Sequence, residues 1–112
     1  DLEEDYSNDY LIITQPLFRD GIVSSFEIQY EVYQRLYNKF ASVSRRVHIK
    51  PHPRDTFDYS NHFPLVFDKS IPFELFVFSN IDFYKYVTLF STSVRLVDAG
   101  KVIQYQLEDV IS

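Results

Sequence analysis

The sequence predicts an α/β fold in which a parallel sheet carries helices on both faces. Three observations point to it. Apolar runs without polar alternation recur, as in Tyr10-Leu11-Ile12-Ile13-Thr14 and Tyr86-Val87-Thr88-Leu89-Phe90, and strands buried on both faces read this way. One long helical pattern over 24–41 separates the first run from the next strand, giving strand, helix, strand. Loops rich in proline or hydroxyl side chains follow the strands, where open α/β sheets bind ligands.

Residues 1–9 are polar and acidic and read as a linker or lead-in to a domain of 10–112. The first strand, 10–14, stops at Gln15-Pro16, because proline cannot continue a central strand. Phe18-Arg19-Asp20-Gly21 is a connecting loop. Ser24 and Glu27 have the spacing of a capping box at the start of the helix. Phe26, Tyr30, Tyr33, Tyr37 and Phe40 recur at helical steps and predict its buried face, with Glu27, Glu31, Gln34, Arg35 and Asn38 in solvent. Residues 45–50 form the second strand, halted by Pro51-His52-Pro53. An irregular loop over 54–63 leads to a short third strand at 64–68. A short helix begins over 70–75 with Pro72 in its first turn. After a turn at 82–85, a strand at 86–90 leads to a short apolar helix over 94–99, which Gly100 ends. The last strand spans 102–105. With about five strands this is one Rossmann-like layer.

Composition narrows the function. The 112 residues are 46% hydrophobic and 18% aromatic, enough for the core of one domain and too much for a disordered chain. With no cysteine there is no disulfide framework, thiolate zinc site or cysteine nucleophile. No apolar run reaches the roughly 18 residues of a membrane span, and no basic leader marks a signal peptide, so a cytoplasmic location is expected. The net charge of −5, from 11 basic and 16 acidic residues, argues against general nucleic-acid binding. No P-loop, dinucleotide fingerprint or nucleophile elbow is present. The histidines lack metal-ligand spacing with acids, so no metal or other cofactor is expected. Absent methionine and the opening Asp1-Leu2-Glu3-Glu4-Asp5 suggest a piece cut from a longer protein. Such a piece should leave a partner-facing apolar patch bare, with Phe73, Phe76 and Phe78 as its components and a route to a homodimer.

The segment Lys50-Pro51-His52-Pro53-Arg54 carries the strongest chemical signal. Two prolines fix the backbone around His52, and Lys50 and Arg54 flank it with positive charge. That suits a diphosphate or phosphodiester, with His52 giving a proton to a leaving phosphate. His48 and His62 lack this context and read as structural. Ser91, Thr92 and Ser93 lie between a buried strand and a helix start, where hydroxyls bind a phosphate or simply cap the helix. Glu74 is either a ribose-binding carboxylate or a favourable acid in a first helical turn. Asp20, before Gly21, is either a general base or part of an ordinary turn.

These residues together resemble the bacterial sialyltransferases of the lipooligosaccharide, capsule and polysialic acid group. That family carries an acidic motif ending in glycine, an HP motif and a serine/threonine motif, in this order. Here they are similar to Arg19-Asp20-Gly21, His52-Pro53 and Ser91-Thr92-Ser93, across about residues 10 to 97. Arg19 stands where the family usually has an acid. The resemblance implies the C-terminal, donor-binding half of a GT-B glycosyltransferase that uses CMP-sialic acid, inactive without its N-terminal half. It implies that His52 contacts the donor phosphate as acid, with Lys50, Pro53, Arg54, Ser91, Thr92 and Ser93 around it. It implies ribose binding by Glu74 and a base role for Asp20. The implied partners are the sugar-nucleotide donor, a glycan acceptor and the missing half, with room for peripheral association at the inner face of the bacterial membrane. A transferase using CMP-Kdo or a CDP-activated polyol, and a non-catalytic α/β docking module, are the competing readings.

Overall fold

The computed structural model describes residues 5–41, 45–89 and 93–111. Strands β1 (Tyr10–Ile13), β2 (Val47–Lys50), β3 (Lys85–Thr88) and β4 (Val102–Gln104) form a four-stranded sheet in the order β2-β1-β3-β4, and every pairing is parallel. The helices are α1 (Phe26–Ala41), α2 (Phe73–Phe78) and α3 (Leu107–Ile111). The α/β architecture is the expected one. Among the described residues no helix is long and apolar enough to cross a membrane.

The pleat sorts side chains between two cores. Tyr10 and Ile12 of β1, Val47 and Ile49 of β2 and Val87 of β3 pack with Val32, Tyr33, Leu36 and Phe40 of α1. Leu11 and Ile13 of β1 and Tyr86 of β3 pack on the opposite face with Phe73 and Phe76 of α2. Tyr6 joins this second core, so the stretch before β1 is anchored as early as residue 6. Asp9 accepts from His48 Nε2 at 2.8 Å and pairs with Arg46 at 2.8 Å, which ties that stretch to β2 and gives His48 a structural role.

The structure corrects several sequence expectations. The buried face of α1 is Gln29, Val32, Tyr33, Leu36 and Phe40, and Phe26, Tyr30 and Tyr37 stand to one side of it. Those rings serve the 54–63 loop instead of the sheet: Tyr30 lies 4.7 Å from His62 and Tyr37 lies 5.2 Å from Phe63, ring centre to ring centre. Ser25, and not Ser24, caps the helix by accepting the Ile28 N–H at 3.2 Å. The 64–68 strand shrinks to a single bridge between Ile49 and Val66. Pro64 has no N–H to donate, and Asp68 turns the chain by accepting the Ser70 N–H at 2.9 Å. The 94–99 helix is replaced by two 3-10 turns, Ser93–Leu96 and Ala99–Lys101. Asp98 accepts the Gly100 N–H at 3.0 Å and so starts the second turn where an α-helix would have continued.

Two further differences concern apolar residues. Helix α3 follows β4 and was not expected; Arg35 of α1 holds it by donating to the Val110 carbonyl at 3.1 Å. Phe73 and Phe76 are 6% and 1% exposed, so of the expected patch only Phe78, at 76%, lies bare, beside Leu75 of the same helix. Phe73 and Phe76, three residues apart on one face of α2, turn to the sheet and fill the second core, while Phe78 falls on another face.

The sheet depends most on Ile12, which is fully buried at the centre of the middle strand. Ile12→Ala should cost about 2–5 kcal/mol of unfolding free energy by urea titration. A loss below that range would mean the core collapses onto the vacated space.

Candidate functional site

Because the strands are parallel, the loops after β1, β2 and β3 leave the sheet at one edge. The Thr14 N–H donates to the Lys50 carbonyl at 3.1 Å, which holds the ends of β1 and β2 side by side. Lys50 pairs in register with Ile13 and, two residues on from His48, points to the α2 side. It is 2% exposed. Its ammonium donates to the carbonyls of Pro51 and Lys69. Burial pushes the amine down to about 8, with Asp68 and Glu74 opposing that shift.

His52 is held from three sides. Its N–H donates to the Thr14 hydroxyl at 3.3 Å, its carbonyl accepts from Asp55 N–H at 3.0 Å, and its Nδ1 accepts from Arg54 N–H at 3.1 Å. A backbone N–H only donates, so Nδ1 is bare and the neutral ring carries its proton on Nε2. Burial, followed by the charges of Arg54 and Lys50, holds the imidazole below its ordinary value. The ring is therefore an uncharged Nε2–H donor at neutral pH.

A cavity of about 170 Å³ opens at this edge, lined by Thr14, Gln15, Lys50, His52, Pro53 and Glu74 among others. It gathers four residues that the sequence singled out: Lys50, His52, Pro53 and Glu74. Asp20 and Arg54 do not line it. They pair with each other, Arg54 Nη1 to Asp20 Oδ1 and Nη2 to Asp20 Oδ2 at 3.4 Å each, so the acidic loop is tethered to the His52 loop. Gly21 has φ of 75°, a conformation that favours glycine and lets the acidic loop turn. Ser91 and Thr92 lie outside the described residues, and Ser93 enters only through its backbone, at the start of a 3-10 turn. A larger hollow of about 460 Å³ lies on the far side of Pro51, but its carboxylates Asp58 and Asp68 are bound within their own turns by Ser60 and Ser70.

Sequence reasoning missed the polar cluster beneath the site. Gln29, Asp55 and Tyr59 are buried, with Gln29 and Asp55 fully inaccessible. Gln29 Nε2 donates to Asp55 Oδ2 at 2.7 Å and to the Tyr59 hydroxyl at 2.8 Å, and its Oε1 accepts from Phe18 N–H at 2.8 Å. The Tyr33 hydroxyl accepts from Gln15 N–H at 2.8 Å. Burial drives the Tyr33 and Tyr59 hydroxyls far above their ordinary range, so they remain protonated. The available signal was Gln29 itself, an amide three and four residues ahead of Val32 and Tyr33 on the true core face.

Two charge effects can be measured. Above pH of about 6.5 His52 is neutral in both folded and unfolded chains. As pH falls below that value, the unfolded chain takes up a proton that folded His52 resists, so stability drops until the lowered folded value is passed. His52→Gln should flatten that part of the stability–pH curve from urea titrations. Lys50→Met should raise Tm at neutral pH, because it removes a desolvated ammonium while keeping side-chain length. A lower Tm would mean that the bonds to Pro51 and Lys69 outweigh the burial cost.

A family model described as glycosyltransferase family 52 matches residues 2–102. A protein of Haemophilus influenzae strain Rd, bearing the name "Uncharacterized protein", is 38% identical over 98 residues, which is 86% of this chain and 31% of that relative. The chain thus spans under a third of the length of the curated relative it matches. No solved structure matches it.

Proposed function

The chain belongs to glycosyltransferase family 52, and from that membership we propose that it binds the donor of an inverting sialyl transfer, CMP-sialic acid, in bacterial surface-glycan synthesis. The observation that carries the proposal is the convergence of His52, Lys50 and Glu74 on one cavity at the carboxyl edge of the sheet. At about 170 Å³ it suits the phosphate and ribose of a donor, not a whole sugar nucleotide. The donor phosphate sits against His52 Nε2–H and the Lys50 ammonium. Glu74 accepts hydrogen bonds from the ribose hydroxyls. Ser91, Thr92 and Ser93, which follow β3 in the chain, are the further candidates for phosphate contacts.

In the transfer, an acceptor hydroxyl attacks the anomeric carbon of sialic acid from the face opposite the phosphate. The bond from that carbon to the phosphate oxygen breaks and the electron pair leaves with CMP. Asp20 takes the acceptor proton. Charge growing on the departing phosphate is met by His52 and Lys50, donors fixed before the reaction begins. Because Arg54 N–H occupies Nδ1, the His52 proton is presented from Nε2 alone. The neutral ring therefore stabilises the growing phosphate charge by donating a hydrogen bond from Nε2–H, without giving up its proton.

The test uses full-length protein with CMP-sialic acid and a glycan acceptor. His52→Ala should lower turnover by on the order of 10²-fold or more, as loss of a preorganised donor to the developing charge does. CMP should bind more tightly than UDP. It should also raise the His52 imidazole pKa, read from ring resonances, since an anion at Nε2 favours the charged ring. Near wild-type turnover of His52→Ala would sink the assignment, and a preference for CDP would move it to a polyol donor.

A further inference from the structure

We propose that Gln29 is a positioning residue that sets the two loops bearing Asp20 and His52 in one frame. Its side chain is fully buried in α1, the longest helix of the structure. One end grips the acidic loop: Oε1 accepts from Phe18 N–H at 2.8 Å, two residues before Asp20. The other end grips the His52 loop: Nε2 donates to Asp55 Oδ2 at 2.7 Å. Asp55 N–H in turn donates to the His52 carbonyl at 3.0 Å, and Asp55 Oδ1 accepts from Phe57 N–H at 3.1 Å. A single amide group thus spans from one loop to the other through a rigid helix.

The chemistry admits few substitutes. An amide accepts at one end and donates at the other of a single small planar group. A carboxylate at this position would keep the Phe18 bond and repel Asp55. An aliphatic side chain would strand the Phe18 N–H and an Asp55 oxygen in a dry interior, where each unmet group is costly. Tyr59 supplies a second acceptor for the same Nε2, which fixes the amide's orientation. The Arg54–Asp20 pair links the same two loops at the exposed side, where solvent screens it. The buried amide therefore carries the alignment. Displacements of about 1 Å in such frames cost on the order of 10²-fold in rate.

The assignment rests on the transferase reading of the site. The experiment compares Gln29→Glu, Asp55→Asn and the double variant in full-length protein. In the double variant the carboxylate and amide trade places, so the buried hydrogen bond re-forms in the opposite direction. Each single variant should lower kcat on the order of 10²-fold with little change in KM for CMP-sialic acid, because Lys50 and Glu74 are untouched. The double variant should recover most of that loss. Nitrogen chemical shifts of the His52 ring give a second readout: the Nε2–H tautomer should mix in the singles and return in the double. Unchanged kcat and ring shifts in a folded Gln29→Glu, or a double variant no better than its worse parent, would overturn the proposal. If wild-type protein transfers no sugar from CMP-sialic acid, the transferase reading fails and the ring shifts alone decide the positioning role. Should the singles not fold, Gln29→Asn shortens the same amide by one methylene; an unmoved kcat and ring signature there would also overturn it.

Discussion

Strand β1 lies between β2 and β3 and is buried along its whole length, and the rest of the molecule is arranged around that fact. A strand with parallel partners on both sides can expose neither face to water without losing its core. Leu11 and Ile13 therefore need α2, and Tyr10 and Ile12 need α1. Parallel neighbours need crossovers that return the chain to the starting edge, and here those crossovers carry the helices that cover both faces. The carboxyl ends of β1, β2 and β3 are then neighbours by necessity. The meeting of Thr14, Lys50 and His52 is a consequence of burying β1, not a separate design.

The strands change character at that edge. Their interiors are aliphatic and aromatic, yet Thr14, Lys50 and Thr88 follow or end three of them and are all buried. Buried polar groups are tolerable only when bonded. Among the described residues no buried side-chain nitrogen or oxygen lacks a partner. The partners come largely from loops: the Lys50 ammonium uses two carbonyls, and Thr14 receives the His52 N–H. Loop conformation and strand-end polarity are thus linked through these bonds.

This division explains what the sequence discloses. Runs such as Tyr10 to Ile13 state their burial outright, because parallel strands show no alternation. The His52 loop was equally plain, since two prolines and two cations around one imidazole is a rare arrangement. The periodicity of the large rings points to a different face of α1 from the one that Val32 and Leu36 bury, because those rings seal a loop. Tertiary packing, and not periodicity, chooses among faces when a helix is apolar over more than half its girth. Gln29 and Asp55 were invisible for another reason. Their significance lies in each other, 26 residues apart, and no local pattern encodes a buried pair.

The proposed phosphate site has to work on an acidic chain. Net charge of −5 repels a phosphate at long range, but screening removes that effect beyond about 8 Å at physiological salt. Close in, the dielectric decides. An ammonium kept in a dry strand end acts through little water, so its field on a neighbouring phosphate is far stronger than that of an exposed lysine. Drying it lowers its own proton affinity, which is why the amine sits near 8 and not lower: Asp68 and Glu74 hold part of the charge in place. The value leaves the group mostly charged at neutral pH. The acids that make the chain negative overall thus favour, at this edge, the charged form of its buried amine.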